Sequence, residues 1–322
     1  MKSMIRRFVR RQVLAALRDA AGNAEVKQLA AQHVGKLGGG GAGQTAYLGD
    51  RRALTRVQGL LMFVPTDDNA IAPHLMMGDI WEGNTTSVIR GLLRPGMTFV
   101  DVGANVGYFA LIGRQAVGAQ GRVFAFEPDP RNHWCLRNSA DVNGFWDLKA
   151  EQKALWREAG SMTLRRSKGS CGGHTLVHGG RDNEPDEEHI DVETLTLDAY
   201  LQEATGDSRK VDVLKIDAEG AEPAILEGMA ETLAANPAVA IVLEFSPLFL
   251  NLADLDPVAY LEGLRDQGFA VGLIDDRGEV QPLPFGDLPA FFETVAWPQN
   301  LLLRRGAGGR PAPGTPTPGG AG

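Results

Sequence analysis

The sequence predicts an α/β fold: a doubly wound, mostly parallel seven-stranded sheet, preceded by an N-terminal helical extension. Three observations lead to it. Short apolar runs alternate with amphipathic runs of helical period across the middle and end of the chain. Three of the apolar runs close on an acid, at Asp101, Glu127 and Asp217. Directly after the first of these, a glycine-bearing turn (Gly103, Ala104, Gly107) opens a helix.

The elements follow in order. Residues 1–37 carry Lys2, Arg6, Arg7, Arg10, Arg11, Arg18, Lys27 and Lys36 against only Asp19 and Glu25. Met4, Ile5, Phe8, Val9, Val13, Leu14 and Leu17 fall mostly at three- and four-residue steps, so residues 4–20 read as a basic amphipathic helix. Residues 38–43, five glycines and an alanine, read as a flexible linker. A catalytic-type domain then spans 44–305, with short strands and turns over 44–75. Strands are expected near 97–102, 122–127, 148–154, 211–216, 238–244, 269–274 and 300–304. Helices are expected over 84–93, 107–117, 130–142, 194–204, 221–235 and 256–267. Met162–Leu164 and Ile190–Val192 have the spacing of an added hairpin. The Gly/Pro-rich stretch 306–322 cannot form a core and is expected to be disordered.

The chemistry concentrates at strand ends. In open parallel sheets ligands gather at the carboxyl ends of strands, where the topology reverses. The spacing Asp101-x-Gly103-x-x-x-Gly107 differs from the Gly-x-Gly-x-x-Gly of dinucleotide enzymes. It points to S-adenosylmethionine, whose methionine ammonium an acid at the strand end can answer. Glu127, 26 residues after Asp101, has the position of an acid that accepts a ribose diol. That feature is shared with nicotinamide cofactors, so an NAD-dependent oxidoreductase stands as an alternative. So does a catalytically silent fold used as a docking module.

Five stretches, WEGNTTSVIRGLLRPGMTFVDVGANVGYFALI, GRVFAFEPDPRNHWCLRNSADVNG, TLTLDAYL, VDVLKIDAEGAEPAILEGM and VLEFSP, resemble the FkbM-type methyltransferases over residues 76 to 250. The resemblance implies a Rossmann-like class I fold, S-adenosyl-L-methionine as cofactor, and O-methylation of a hydroxyl on a sugar, polyketide or related metabolite. It carries cofactor contacts to Asp101, Gly103, Ala104, Asn105, Gly107, Tyr108 and Glu127. Ala154 and Leu155, with Lys153, would flank adenine, and Glu82 would close over the methionine end.

Proton removal from the acceptor falls to Asp217 or His174, with Glu219 and Glu244 as further candidates. An Asn/Asp-Pro-Pro-Tyr loop, typical of nitrogen methylation, is replaced here by Asp217-Ala-Glu-Gly, which favours an oxygen acceptor. No metal site is expected, and the acidic run Asp182–Glu188 reads as a solvated loop. A net charge of −8 argues against nucleic acid as a partner, leaving a small-molecule or glycan hydroxyl acceptor. Cys135 and Cys171 have neither ligand-like spacing nor a disulfide framework, which suits a reduced, cytoplasmic setting. The basic helix at 4–20 has two competing uses: packing on the domain or a second subunit, or peripheral contact with an anionic membrane face. The sequence leaves the oligomeric state open.

Overall fold

The computed structural model of the chain describes residues 45–78, 80–167, 169–176, 187–296 and 298–305. The expected helix at 4–20, the linker at 38–43 and the tail at 306–322 lie outside these residues, as does most of Asp182–Glu188. Among the described residues no helix is long and apolar enough to cross a membrane.

The first three strands, β1 (Thr45–Gly49), β2 (Arg52–Val57) and β3 (Leu60–Pro65), form a small antiparallel sheet in sequence order. Two short helices follow, α1 (Ala72–Met76) and α2 (Gly83–Leu92). The main sheet begins with β4 (Thr98–Val102), α3 (Tyr108–Val117), β5 (Arg122–Phe126), α4 (Pro130–Val142) and β6 (Lys149–Glu151). Next come β7 (Ala154–Leu155), β8 (Gly160–Ser167), β9 (Glu187–Leu195) and α5 (Leu197–Thr205). The chain re-enters the sheet as β10 (Val213–Ile216), then α6 (Glu222–Glu227), α7 (Ala230–Ala235), β11 (Ala240–Phe245), α8 (Pro247–Leu252) and α9 (Pro257–Asp266). It ends with β12 (Phe269–Ile274), β13 (Val280–Pro282), α10 (Leu288–Phe292) and β14 (Gln299–Arg305).

The strand order is β13-β12-β14-β11-β10-β4-β5-β6. The five strands from β11 to β6 run parallel, and β14 is antiparallel to both its neighbours. After β4 the chain builds outward through β5 and β6, then crosses to the other side of β4 for β10 and β11. The reversal therefore falls between β4 and β10, the place where open α/β sheets leave a crevice. Strand β4 is buried throughout, as a strand covered on both faces must be. Helix α4 starts where it does because the Asp129 carboxylate caps it, accepting from Arg131 N and Asn132 N, with Pro130 as first helical residue. The small sheet is tied to the other end of α4. Asn143 exchanges bonds with Leu61, and Ser139 Oγ accepts from Phe63 N at 2.9 Å.

Three expectations need correction. The main sheet has eight strands, not seven. The added β13 is a three-residue edge strand containing Pro282, too short to show an alternating pattern. The expected strand 148–154 is two pieces: β6 joins the main sheet, while β7 leaves it to pair with β9. The expected helix 221–235 breaks at Gly228–Met229, where backbone meets backbone: a Cβ on Gly228 would lie 2.1 Å from Trp156 O. Helix α7 restarts under the Asp198 carboxylate, which accepts from Glu231 N and Thr232 N. The hairpin expected from Met162–Leu164 and Ile190–Val192 is present within β8 and β9, with Met162 opposite Val192 and Leu164 opposite Ile190.

Candidate active site

A cavity of about 520 Å³ opens over the crevice between β4 and β10, large enough for a cofactor and part of an acceptor. Its floor is the turn after β4. Gly103 and Ala104 both donate backbone N–H bonds to Phe126 O at 3.0 Å, which folds the turn onto the end of β5. Gly103 sits at φ 72°, and a Cβ there would lie 1.8 Å from Asp217 O. The glycine is thus demanded by the meeting of two strand ends as much as by any ligand. Asn105 at φ 52° donates its backbone N–H to Glu127 Oε2 at 2.7 Å.

Glu127 is 5 % exposed, and its other oxygen accepts from Asp129 N at 2.9 Å. Both bonds come from backbone, so the carboxylate is held in place with lone pairs left toward the cavity. Burial nevertheless pushes it up to about 8, against the lowering effect of those bonds. Asp101 is sealed beneath the floor, fully buried, with the Ala110 backbone N–H turned toward it. Burial raises it to about 7, opposed by the charge of Lys215.

A strap, residues 169–176, crosses above this floor. Cys171 O accepts from the side-chain amides of Asn105 and Asn132, at 2.6 and 2.8 Å. Cys171 N donates to Asp68 Oδ1 at 2.8 Å, so the segment before α1 holds the strap as well. At its far end Gly173 N donates to Glu219 Oε1 at 3.0 Å, and Thr175 Oγ1 to Glu219 O at 2.7 Å.

At the β10 and β11 tips the acids converge. Ligand oxygens of Asp217, Glu219 and Glu244 lie within 4.8 Å of one another, a spacing a divalent cation could bridge although the sequence suggested no metal site. Lys215, 2 % exposed, donates to Asp217 Oδ2 at 2.7 Å and lies 4.7 Å from the Phe109 ring centroid. Its carboxylate neighbours raise its pKa against the lowering effect of burial. Burial pushes Glu219 up to about 8, with Asp217 and Glu222 adding to the rise, and pushes Glu244 well above the usual carboxylate range. Glu222 is also raised by burial, to about 7, although it accepts from Ala218 N and Gly220 N.

The remaining candidates distribute as follows. Tyr108 lines the cavity and its hydroxyl lies 3.3 Å from Thr86 Oγ1. Gly107 at φ 94° packs on Leu136, where a Cβ would lie 2.6 Å from Cδ1. Ala154 and Leu155 line the wall near Lys153, whose Nζ pairs with Glu193. Glu82 joins the acid end: it precedes α2 at φ 41°, accepts from Asn300 Nδ2 at 2.9 Å, and is raised by burial. His174 does not join the acids. Its ring turns toward Asp129, with Nδ1 3.8 Å from Oδ2 and Nε2 3.0 Å from Ser170 O, and burial lowers its pKa. Sequence reading missed Lys215 and Asn132 as site residues. A lysine inside an apolar strand run was the available signal for the first, since buried lysines are rare unless paired.

Comparison with known proteins places residues 101–270, just over half of the chain, in the methyltransferase FkbM domain. A curated relative, methyltransferase sdnD of Sordaria araneosa, is 32% identical over 156 residues, covering 41% of this chain and 60% of that protein. Methyltransferase 1 of Beauveria bassiana is 28% identical over 144 residues, covering 40% of this chain and 57% of its own. The chain thus spans less than two thirds of the length of either. Among solved structures, an O-methyltransferase from Bacillus cereus in complex with SAH aligns at 11% identity, covering 73% of this chain and 86% of that one. Its TM-score of 0.41 is too low for the likeness to carry weight.

Proposed function

Since the chain belongs to the FkbM methyltransferase family, whose cofactor is S-adenosylmethionine, we propose that it methylates a hydroxyl oxygen of a small-molecule acceptor such as a sugar or polyketide. The observation that carries the proposal is the placement of a salt-bridged Asp217 at a strand tip whose backbone touches the cofactor turn at Gly103.

The residues present fit the cofactor. Glu127, fixed by two backbone N–H groups, suits a ribose diol, which donates two hydrogen bonds. Glu82 and Asp217, close to Lys215, put carboxyl oxygens at this end of the cavity that can accept from a methionine ammonium. When bound, the cofactor supplies a methyl group already activated for in-line displacement. What the chain must add is placement of the hydroxyl about 3 Å from that carbon. A carboxylate that takes the hydroxyl proton adds about 10²–10⁴-fold. We assign that proton to Asp217, which lines the cavity and has one oxygen held by Lys215. Glu219 and Glu244 flank it and are placed to hold neighbouring oxygens of the acceptor. His174, turned to Asp129, is left to orient the strap. A cytoplasmic enzyme acting on a free metabolite is the setting we propose with this reading.

Calorimetric titration with S-adenosylhomocysteine, and separately with NADH, tests the cofactor. Binding of the first alone is expected. Transfer of labelled methyl from S-adenosylmethionine to a panel of hydroxyl acceptors then tests the reaction, with Asp217→Asn expected to lower turnover about 10²–10⁴-fold while leaving S-adenosylhomocysteine affinity in place. Binding of NADH alone would overturn the reading.

A further inference from the structure

We infer that Asn132 is a cofactor-binding residue: its side-chain oxygen accepts from one ribose hydroxyl of the nucleoside, beside Glu127. The inference rests on the reading above and gives the diol a second acceptor.

A buried asparagine amide has a donor end and an acceptor end, and both need partners. Asn132 is 2 % exposed and lines the cavity. Its Nδ2 donates to Cys171 O at 2.8 Å. A carbonyl only accepts, so this bond fixes which end of the amide meets the strap and turns Oδ1 away from it. Among the described residues, Asn132 Oδ1 has no hydrogen-bond partner. Asn105 meets the same carbonyl and supplies the contrast. Its Nδ2 donates to Cys171 O at 2.6 Å, while its Oδ1 accepts from Val106 N at 2.7 Å. One amide of the pair is used at both ends within the protein; the other keeps an acceptor for something else.

The position of that oxygen identifies its donor. The two amides converge on one carbonyl, and Asn105 N donates to Glu127 Oε2, so the Asn132 amide stands beside the Glu127 carboxyl. The backbone N–H groups around it are committed: those of Asn105 and Asp129 to Glu127, those of Arg131 and Asn132 to Asp129, and that of Cys171 to Asp68. What the oxygen needs is a donor, and a ribose diol has two. Glu127, just past β5, and Asn132, in the first turn of α4, then face the diol from two elements, so each hydroxyl has an acceptor of its own. Asn132 also borders a second cavity, of about 420 Å³, behind the strap. The guanidinium groups there are drawn to acids, Arg131 to Asp67 and Arg166 to Asp129 and Glu188. A single side chain thus ties down the strap with its nitrogen and meets the sugar with its oxygen.

The test measures affinity, not turnover. S-adenosylhomocysteine and its 2′-deoxy and 3′-deoxy analogues are titrated by calorimetry into the full-length protein and into Asn132→Ala. In the unsubstituted protein both analogues are expected to bind more weakly than the parent. In Asn132→Ala, the penalty for losing one of the two hydroxyls is expected to shrink by about 2- to 10-fold, the size of one neutral hydrogen bond, while the other penalty stays as it was. If the parent and both analogues weaken by the same factor, Asn132 acts only through the strap and the inference is overturned. Should the variant fail to fold, a crystal structure of the unsubstituted protein with S-adenosylhomocysteine decides. A ribose oxygen within about 3.5 Å of Asn132 Oδ1 supports the inference, and none within that distance overturns it. Failure of the unsubstituted protein to bind S-adenosylhomocysteine removes the methyltransferase reading and this contact together. Binding with both penalties unchanged in the variant removes the contact alone.

Discussion

Glu127 shows how much a single residue's role depends on what lies behind it. Its side chain is clamped by Asn105 N and Asp129 N, so its position does not wait on a ligand. Replacing it with glutamine sets an amide N–H₂ against one of those donors. By calorimetry at about pH 9, above the titration of the buried carboxyl, S-adenosylhomocysteine affinity in Glu127→Gln is expected to fall about 10- to 100-fold, the loss of one charge-assisted hydrogen bond of about 1.5–3 kcal/mol. An unchanged affinity would remove Glu127 from the ribose. The strand-end acids were legible in the sequence because each closes an apolar run. Their depth was not: Asp101 and Glu127 read alike, yet one lies sealed under the floor and the other lines the cavity. The orientation of His174 was hidden for a related reason, since a glycine-loosened loop reveals that a residue is near a cleft but not which side of it the ring takes.

At the scale of elements, the strap decides how closed the cavity is. Two asparagines from different elements, Asn105 after β4 and Asn132 in α4, meet one carbonyl, Cys171 O. Removing one donor leaves that carbonyl partly satisfied, a change of about 0.5–1.5 kcal/mol. Asn132→Ala is therefore expected to speed hydrogen exchange of residues 169–176 by about 2- to 10-fold, with β4 and β10 unaffected. Exchange unchanged across the strap would show that Asn105 and Asp68 hold it alone. The parallel strands and the long helices were readable from period and punctuation, as Pro130 after Asp129 illustrates. The break between α6 and α7 was not, because it comes from the approach of Trp156, a residue distant in sequence and met only in the fold.

Across the whole molecule, an excess of buried acid governs the response to pH. Asp101 and Glu222 are raised to about 7, Glu127 and Glu219 to about 8, all chiefly by burial. Unfolded, these groups titrate near 3.8 for aspartate and 4.5 for glutamate. Between those values and about 8 the folded chain binds more protons than the unfolded one, so stability falls as pH rises through this window and levels off above it. Scanning calorimetry of the ligand-free protein is expected to give a lower Tm at about pH 8.5 than at about pH 6, with the drop smaller in Glu222→Gln. A Tm that rises over that range would mean the acids are not buried as described. The sequence shows an excess of acids, but only the fold gathers several of them around a single lysine.

The contact between Gly103 and Asp217 works as a fixed gauge. There is no room for even a methyl group between the two strand ends, so the floor under Gly103 and the floor under Asp217 meet backbone to backbone. In the proposed reaction, the span a methyl group crosses is then set by the backbone, not by adjustable side chains. A new acceptor would have to be accommodated at the rim, by the strap and by Trp81 and Phe249, while the floor keeps the same measure for every molecule that enters.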